Sequence, residues 1–203
     1  MAISSLTRFS VPLATNQSAS NQGLLMPKLK FRFRVTFYNF GVDSNTVELT
    51  KQVKTFKRPN PTFEPIVIDV YNSKINLVGK PKWESVDCVI RDDAAGNVNR
   101  LVGGQLQKQF DFMEQASARS GIDYKFTTRL EMLDGGNGAF EPEILEVWDM
   151  FGCLLTGVSY GDVDYSSNDP VELTLSIMFD NALQLPEGVG TNVGRTLGEV
   201  ATG

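Results

Sequence analysis

The chain has 203 residues, a formal net charge of −5 and no histidine. This length suits one domain, and the missing histidine excludes Ser-His and Cys-His nucleophile arrangements and removes the commonest metal ligand. The acidic balance argues against a nucleic-acid-binding surface, which needs a basic footprint. No apolar run approaches the length of a membrane span, and the N-terminus lacks a basic-then-apolar export pattern, so we expect no membrane anchor.

The two ends of the chain are polar and show no sustained hydrophobic period. Residues 1–27 are rich in Ser, Asn, Gln and Thr, and residues 185–203 have a similar character. Such composition predicts an N-terminal arm and a flexible C-terminal tail. The β domain between them is then expected to span residues 28–184.

The first predicted strands come directly after the arm. Period-two alternation predicts a half-buried strand over residues 30–38, and residues 46–56 form a long β-prone run. The apolar face of the first strand consists of Phe31, Phe33, Val35 and Phe37. The face shared along the second run consists of Val47, Leu49 and Val53.

The segment from Lys54 to Asp93 is the most unusual part of the chain. Three prolines early in it block regular pairing in a central strand over about ten residues. We expect strands over residues 66–71, 74–78 and 83–91, with a turn at residues 79–82. The three prolines are Pro59, Pro61 and Pro65. This pattern is typical of sheet edges and protrusions.

One helix is predicted after this segment, because apolar residues recur there at intervals of three and four. Its apolar positions are Leu101, Val102, Leu106, Phe110 and Met113. Gly121 is the predicted stop.

The remaining elements are predicted as strands. They cover residues 124–133, a pair at 143–149 and 154–160 joined around Gly152, and a final strand from Val171 to Phe179. About eight strands and one helix predict a mainly β fold, a β-sandwich or barrel with the helix packed against it.

The two cysteines, Cys88 and Cys153, fit neither a metal-binding spacing nor a disulfide framework. Cys88 alternates with Val86 and Ile90 along a predicted strand. A buried, inert thiol is therefore expected at Cys88.

Two short motifs resemble functional loops but lack required residues. Residues 162–173 begin like a calcium loop, yet Ser167 and Leu173 occupy the positions that need a Gly and a bidentate Glu. Residues 188–194 contain three glycines, but their spacing and context differ from those of a dinucleotide-binding loop. We therefore expect an acidic turn and a flexible tail, respectively.

Pairs of acidic residues could serve a glycosidase, which needs two carboxylates at a fixed separation. The candidate pairs are Glu141/Glu143 and Asp162/Asp164. Nothing in the sequence sets their separation in space, and chance pairs are expected among 24 acidic residues. We predict no catalytic, cofactor-binding or metal-binding residues.

Charge is distributed unevenly along the chain. Residues 28–82 hold eleven Lys/Arg and four Asp/Glu, whereas residues 131–187 hold twelve Asp/Glu and no Lys or Arg. These parts either meet across a contact between subunits or face each other, or solvent, within one subunit. The residues predicted for an inter-subunit charge contact are Arg32, Arg34, Lys54, Asp162 and Asp164.

Several phrases, taken in order, resemble the major tail tube protein of contractile-tailed bacteriophages, over roughly residues 28–184. The matching phrases are KTF from Lys54, NSKINLVG from Asn72, WESVDCVIRDD from Trp83, the helix with Phe110, Phe112 and Met113, GCLLTG from Gly152, VDYSSN from Val163 and VELTLSIMF from Val171. The arm, the glycine-rich loop at 134–138 and the tail are longer than a minimal tube subunit needs.

The resemblance implies a homohexameric ring stacked into a hollow tube, with strands from each subunit forming an inter-subunit inner β-barrel. It also implies that phage DNA passes through the lumen without specific binding. The implied partners are the tail sheath, baseplate and tail terminator proteins. No cofactor is implied, and the subunit is expected in the virion tail tube after assembly in the host cytoplasm.

The resemblance further implies that a long loop, here about Thr55 to Gly79, reaches the adjacent ring. The residues expected at this ring-stacking interface are Phe56, Lys57, Arg58, Pro59, Pro61, Phe63, Tyr71, Asn72, Lys74 and Ile75.

Two alternatives stay open from sequence. The chain could be a baseplate tube initiator or the inner tube protein of a contractile injection system, which polymer length would distinguish. It could instead be a monomeric β-sandwich that binds glycans or acts as a glycosidase.

Overall fold

A computed structural model gives the structure of the chain and describes residues 28–41, 46–134, 142–185 and 188–189. Within these ranges the chain is mainly β, which confirms the predicted fold class. The helices that the described residues form are too short or too polar to cross a membrane.

The chain divides into two compact units, residues 1–32 and 33–203. In the described part of the first unit, the Arg32 backbone N–H donates to the Leu29 carbonyl oxygen at 3.2 Å, and the Arg32 guanidinium lies 5.5 Å from the Phe31 ring centroid. The predicted arm and most of the predicted tail lie outside the described residues, so the boundaries at residues 27 and 184 stay predictions.

The described part of the second unit contains eleven strands and three helices. The strands are β1 Phe33–Tyr38, β2 Val53–Phe56, β3 Pro61–Val70, β4 Ser73–Trp83, β5 Val86–Arg91, β6 Phe110–Asp111, β7 Ala116–Ser117, β8 Phe126–Leu133, β9 Ile144–Ser159, β10 Glu172–Met178 and β11 Asn181–Leu185. The helices are α1 Val47–Gln52, α2 Asn97–Gln109 and α3 Gly121–Tyr124.

Seven strands form one antiparallel sheet in the order β1-β8-β9-β10-β5-β2, with β11 paired to β9. Strand β9 joins its two parts: residues 144–153 pair with β8, and residues 154–159 pair with β10. Gly152, at φ +66°, lies where β9 changes partners.

Alternate sheet residues and one side of α2 form a single core. Along β10 the alternation is as predicted, because Leu173, Leu175 and Ile177 are all at most 1% exposed. The α2 residues in the same core are Val98, Leu101 and Val102. The predicted helix therefore packs against the sheet.

Residues 46–56 are not one strand, and this prediction was wrong. They form α1 followed by β2. Leu49 of α1 is fully buried in the core, whereas Val47 is 53% exposed. Tertiary packing of α1 against β1 and α2 overrides the local β propensity of Val and Thr.

The predicted helix ends earlier than its apolar periodicity suggested. Phe110 adopts extended dihedrals, and the Asp111 carboxylate accepts the backbone N–H groups of Met113 and Glu114 at 2.9 and 3.2 Å. These bonds lower the pKa of Asp111 and form a turn that competes with helix. Phe110 and Met113 therefore lie on a small hairpin, β6–β7, and not on α2.

The predicted strand pair around Gly152 is one continuous strand of 16 residues, β9. A glycine with positive φ bends the strand without ending it, because the hydrogen-bond partners change from β8 to β10 at that point. Strand β11, which pairs with β9, was not predicted.

Candidate assembly surface

Strands β3 and β4 form a long two-stranded hairpin that pairs with no other described strand. Their register runs from Pro61 opposite Trp83 to Val70 opposite Ser73, with Tyr71 and Asn72 as the turn. We call this hairpin, residues 61–83, the ribbon. Strands of this length span about 35 Å at roughly 3.3 Å per residue.

The predicted bounds of the strands at residues 66–71 and 74–78 were wrong, because β3 begins at Pro61 and β4 continues to Trp83. The turn predicted at residues 79–82 is part of β4. The outer edges of a two-stranded ribbon have no partner strand, so prolines there remove no ladder hydrogen bond. The register shifts between Phe63 and Pro65. A Cβ at Gly79 would overlap the Glu64 carbonyl oxygen, so only glycine fits at this bulge.

The ribbon continues the ladder between β2 and β5. The Lys57 backbone N–H donates to the Asp87 carbonyl oxygen at 3.0 Å, and the Glu84 N–H donates to that of Asn60 at 3.2 Å. The Lys57 ammonium lies 3.3 Å from the Glu84 carboxylate across the same step. The ribbon is therefore a direct extension of two sheet strands beyond the sheet.

Aromatic packing fixes the base of the ribbon. Trp83 and Phe56 are half-buried and pack against the core, and the Trp83 ring centroid lies 5.5 Å from that of Phe179. Pro59, which lies between Phe56 and Trp83 in the sequence, is buried. The base is thus held rigidly, while the rest of the ribbon is exposed.

One face of the ribbon is aliphatic. Ile66 is opposite Leu77, and Ile68 is opposite Ile75, so these four side chains share a face with Val70. Each of the five is between 44% and 54% exposed. We call these five residues the aliphatic face.

The opposite face of the ribbon is more polar. It pairs Asp69 with Lys74, Val67 with Asn76 and Pro65 with Val78, so its polar side chains lie toward the tip. The Lys74 ammonium lies 3.3 Å from the Asp69 carboxylate, and both side chains are more than two-thirds exposed, so this ion pair contributes little stability. The ribbon is therefore amphipathic.

The tip of the ribbon exposes an aromatic ring. Tyr71 is fully exposed and has φ +43°. Two-residue hairpin turns favour positive φ, which a tyrosine adopts only at a cost.

The residues predicted for ring stacking all lie on the ribbon or its base, and they differ in exposure. Phe56 and Pro61 are half-buried and Pro59 is buried. The exposed members are Lys57, Arg58, Phe63, Tyr71, Asn72, Lys74 and Ile75. Sequence reasoning missed Ile66, Ile68, Val70 and Leu77, which the alternation in IVIDV and INL could have identified.

Two of the cations predicted for inter-subunit contacts are engaged within the subunit. Arg34 Nε lies 2.6 Å from a Glu131 carboxylate oxygen, and Lys54 Nζ lies 2.6 Å from one of Glu172. At these two positions the basic and acidic parts of the chain meet inside one subunit. Contacts between subunits through the predicted residues stay a prediction.

Metal-binding clusters and exposed thiols are both absent from the residues that the structure describes. No cluster of three or more His, Cys, Asp or Glu side chains that could hold a metal is found among them. Cys88 is fully buried, as predicted, and so is Cys153. Burial raises the pKa of Cys153 to about 11 and that of Cys88 further, which disfavours the reactive thiolate.

No family model and no curated protein match the sequence. Among solved structures, the anti-feeding prophage tube terminating cap matches with a TM-score of 0.60 and 12% identity, covering 84% of this chain and 98% of that one. A chain of the six-fold symmetrised anti-feeding prophage baseplate matches with a TM-score of 0.57 and 16% identity, covering 83% and 100%.

A sheath/tube terminator of an extracellular contractile injection system, in its extended state, matches with a TM-score of 0.57 and 13% identity, covering 81% of this chain and all of that one. At these identities the likeness establishes the fold. The chain has the fold of cap, baseplate and tube-terminator chains of contractile injection systems, in agreement with the resemblance seen in its sequence.

Proposed function

We propose that the chain is a structural subunit of a contractile tail or injection system, and that copies of it form hexameric rings that stack into a tube. The observation that carries this proposal is the ribbon, whose aliphatic face is left about half exposed by the residues that the structure describes. The likeness of the fold to cap and tube-terminator chains supports it.

Assembly through the ribbon would bury apolar surface that is exposed in the isolated subunit. Burying a half-exposed Ile, Leu or Val on assembly contributes about 1 kcal/mol, so covering the five residues of the aliphatic face contributes about 5 kcal/mol before entropic costs. An isolated two-stranded hairpin is only marginally stable in water. A ribbon that is covered by a neighbouring copy avoids both the exposed patch and this marginal stability.

The rest of the role follows from the family resemblance. Strands of each subunit would line an inner β-barrel, and phage DNA would pass through its lumen at ejection. A net charge of −5 suits such a lumen, because a basic wall would retain the phosphates. Sheath, baseplate and terminator proteins would be the partners.

A tube terminator or cap is the second candidate. It is favoured by similarity to cap and terminator structures that are covered over 98% and 100% of their length. A terminator would form a single ring on a pre-existing tube, whereas a tube subunit would polymerise. Polymer length therefore separates the two.

Ribbon truncation tests the proposal. Replacing residues 62–82 by Asn-Gly would close the hairpin between Pro61 and Trp83, which are paired. We expect circular dichroism to show a folded subunit. Negative-stain electron microscopy and sedimentation should show that it no longer stacks. Tubes of normal length from the truncated chain would refute the role of the ribbon.

Matched substitutions on the two faces of the ribbon provide the control. Ile68→Asp with Ile75→Asp places charge on the aliphatic face, and Val67→Asp with Asn76→Asp places the same charge on the opposite face. We expect the first pair to abolish stacking and the second to weaken it far less.

An intact chain that stays monomeric when concentrated and binds a glycan saturably would instead favour a binding module.

A further inference from the structure

The ribbon and an acidic loop extend from opposite ends of the same strands. The ribbon leaves the sheet next to Val86, the first residue of β5. At the other end of β5, Arg91 is opposite Glu172, which directly follows the loop of residues 160–171 between β9 and β10. The six residues of β5 separate the two by about 20 Å.

The loop presents apolar side chains among carboxylates. Val163 is 85% exposed and Tyr165 is fully exposed. Around them lie Asp162, Asp164 and Asp169, and residues 160–171 contain no Lys or Arg. Ser166 donates its backbone N–H and hydroxyl to the Asp164 carboxylate at 2.9 and 2.8 Å, and these bonds lower the pKa of Asp164.

The ribbon and its base present the opposite charge. The side chains of Arg58, Lys80 and Lys82 are exposed and form no ion pair with any residue that the structure describes. Lys57, directly before Arg58, is paired with Glu84. Lys54 lies at the other end of the sheet and is paired with Glu172. Arg58, Lys80 and Lys82 are therefore three of the cations available to another molecule; a fourth, the exposed Arg91, lines a pocket together with the loop of residues 160–171.

We propose that the loop of residues 160–171 is the receptor for the ribbon of a second copy of this chain. The carboxylates of Asp162 and Asp164 would face Arg58, Lys80 and Lys82 of the neighbour, and the exposed apolar residues of the loop would cover part of its aliphatic face. This inference rests on the proposed self-assembly and names the surface that receives the ribbon.

Charge complementarity selects a second copy as the occupant. The two surfaces carry opposite net charge and both contain exposed apolar side chains, yet they project from opposite ends of one sheet. Such a head-to-tail contact does not use the same patch on both copies, so it repeats from one copy to the next. A stack built in this way has one end with free ribbons and another with free loops.

Reciprocal charge reversal tests the contact. The loop variant carries Asp162→Lys and Asp164→Lys, and the ribbon variant carries Arg58→Glu and Lys82→Glu. Each variant alone would set like charges against each other at every contact. We expect the association midpoint of each, measured by sedimentation velocity at low salt, to rise about tenfold or more.

An equimolar mixture of the two variants is the decisive sample. Each reversed loop then meets a reversed ribbon, so we expect the mixture to assemble near the intact chain's midpoint as an alternating polymer. Recovery in the mixture also shows that both variants are folded. Mixtures that assemble no better than either variant alone would overturn the inference.

A third variant controls for total charge. Glu114→Lys with Asp123→Lys makes the same charge change as the loop variant, at exposed residues elsewhere in the subunit, and we expect assembly as for the intact chain. If ribbon truncation blocks stacking while the reversed variants assemble normally, the receptor assignment is wrong and the proposed function stands. If the intact chain never self-associates, both are refuted.

Discussion

At the residue scale, two glutamines of α2 bond the helix to backbone groups around it. Gln105 is fully buried; its amide accepts the Gly41 backbone N–H at 2.9 Å and donates to the Tyr124 carbonyl oxygen at 2.7 Å. Gln109 accepts from the Leu155 N–H and donates to the Leu155 carbonyl oxygen, both at 2.9 Å. The Gln109 amide thus forms the hydrogen bonds that a neighbouring strand would form, at the point where β9 no longer pairs with β8.

Gln105→Leu should lower the free energy of unfolding by about 2–3 kcal/mol, because it removes the partner of the buried Gly41 N–H and of the Tyr124 C=O. Asn99→Leu on the same helix is the control, since Asn99 is exposed and its replacement should change stability by less than about 0.5 kcal/mol. Urea denaturation of both variants measures the difference. Equal losses would show that the buried amide contributes nothing specific.

At the element scale, glycines have opposite roles in β9 and in α2. Gly152 has φ +66°, and a Cβ there would overlap the Asp180 carboxylate, which binds the Lys125 ammonium at 2.5 Å. Gly103 lies inside α2 with open space around its Cα. The first glycine is required by geometry, whereas the second only weakens a helix.

Gly152→Ala should therefore lower the free energy of unfolding by about 1–3 kcal/mol through backbone strain and displacement of Asp180. Gly103→Ala should raise it by about 0.5–1 kcal/mol, because alanine restricts the unfolded chain and favours helix. Thermal and urea unfolding of the two variants check these opposite signs. A stabilising Gly152→Ala would contradict the bent-strand account of β9.

At the scale of the whole molecule, the structure shows where the unevenly distributed charges of the chain lie. Part of it is neutralised inside the subunit by the pairs Arg34–Glu131 and Lys54–Glu172. Another part lies at the two ends of one sheet, on the ribbon and on the loop of residues 160–171. Opposite charges at opposite ends favour ordered association of copies over a closed pair.

Self-association should make the thermal stability of the intact chain depend on its concentration, because assembly binds only the native state. We expect the Tm to rise with protein concentration for the intact chain, and to stay constant for the chain in which Asn-Gly replaces residues 62–82. Differential scanning calorimetry over a hundredfold concentration range measures both. A parallel rise in the two proteins would exclude the ribbon as the contact.

Local patterns predicted much of the fold and part of the candidate surface. Alternation identified β10 and the core positions Val35 and Phe37 of β1, because a half-buried strand must bury every second residue. It was wrong at Phe31, which lies before β1 and is 74% exposed. The proline-rich segment predicted a protrusion, and the absence of histidine excluded Ser-His and Cys-His nucleophile arrangements. The same patterns failed at Phe110, where an Asx turn ends α2, and at residues 46–52, where packing of Leu49 produces a helix.

The sequence by itself determined the mainly β class, the buried Cys88, the position of the protrusion and the separation of charge along the chain, since each depends on composition or local period. Only the tertiary structure decided that the protrusion is one continuous amphipathic ribbon and which cations remain unpaired among the described residues. It also decided that the acidic loop lies at the opposite end of the sheet. These properties depend on register and on pairing between residues up to 118 positions apart, which no local pattern encodes.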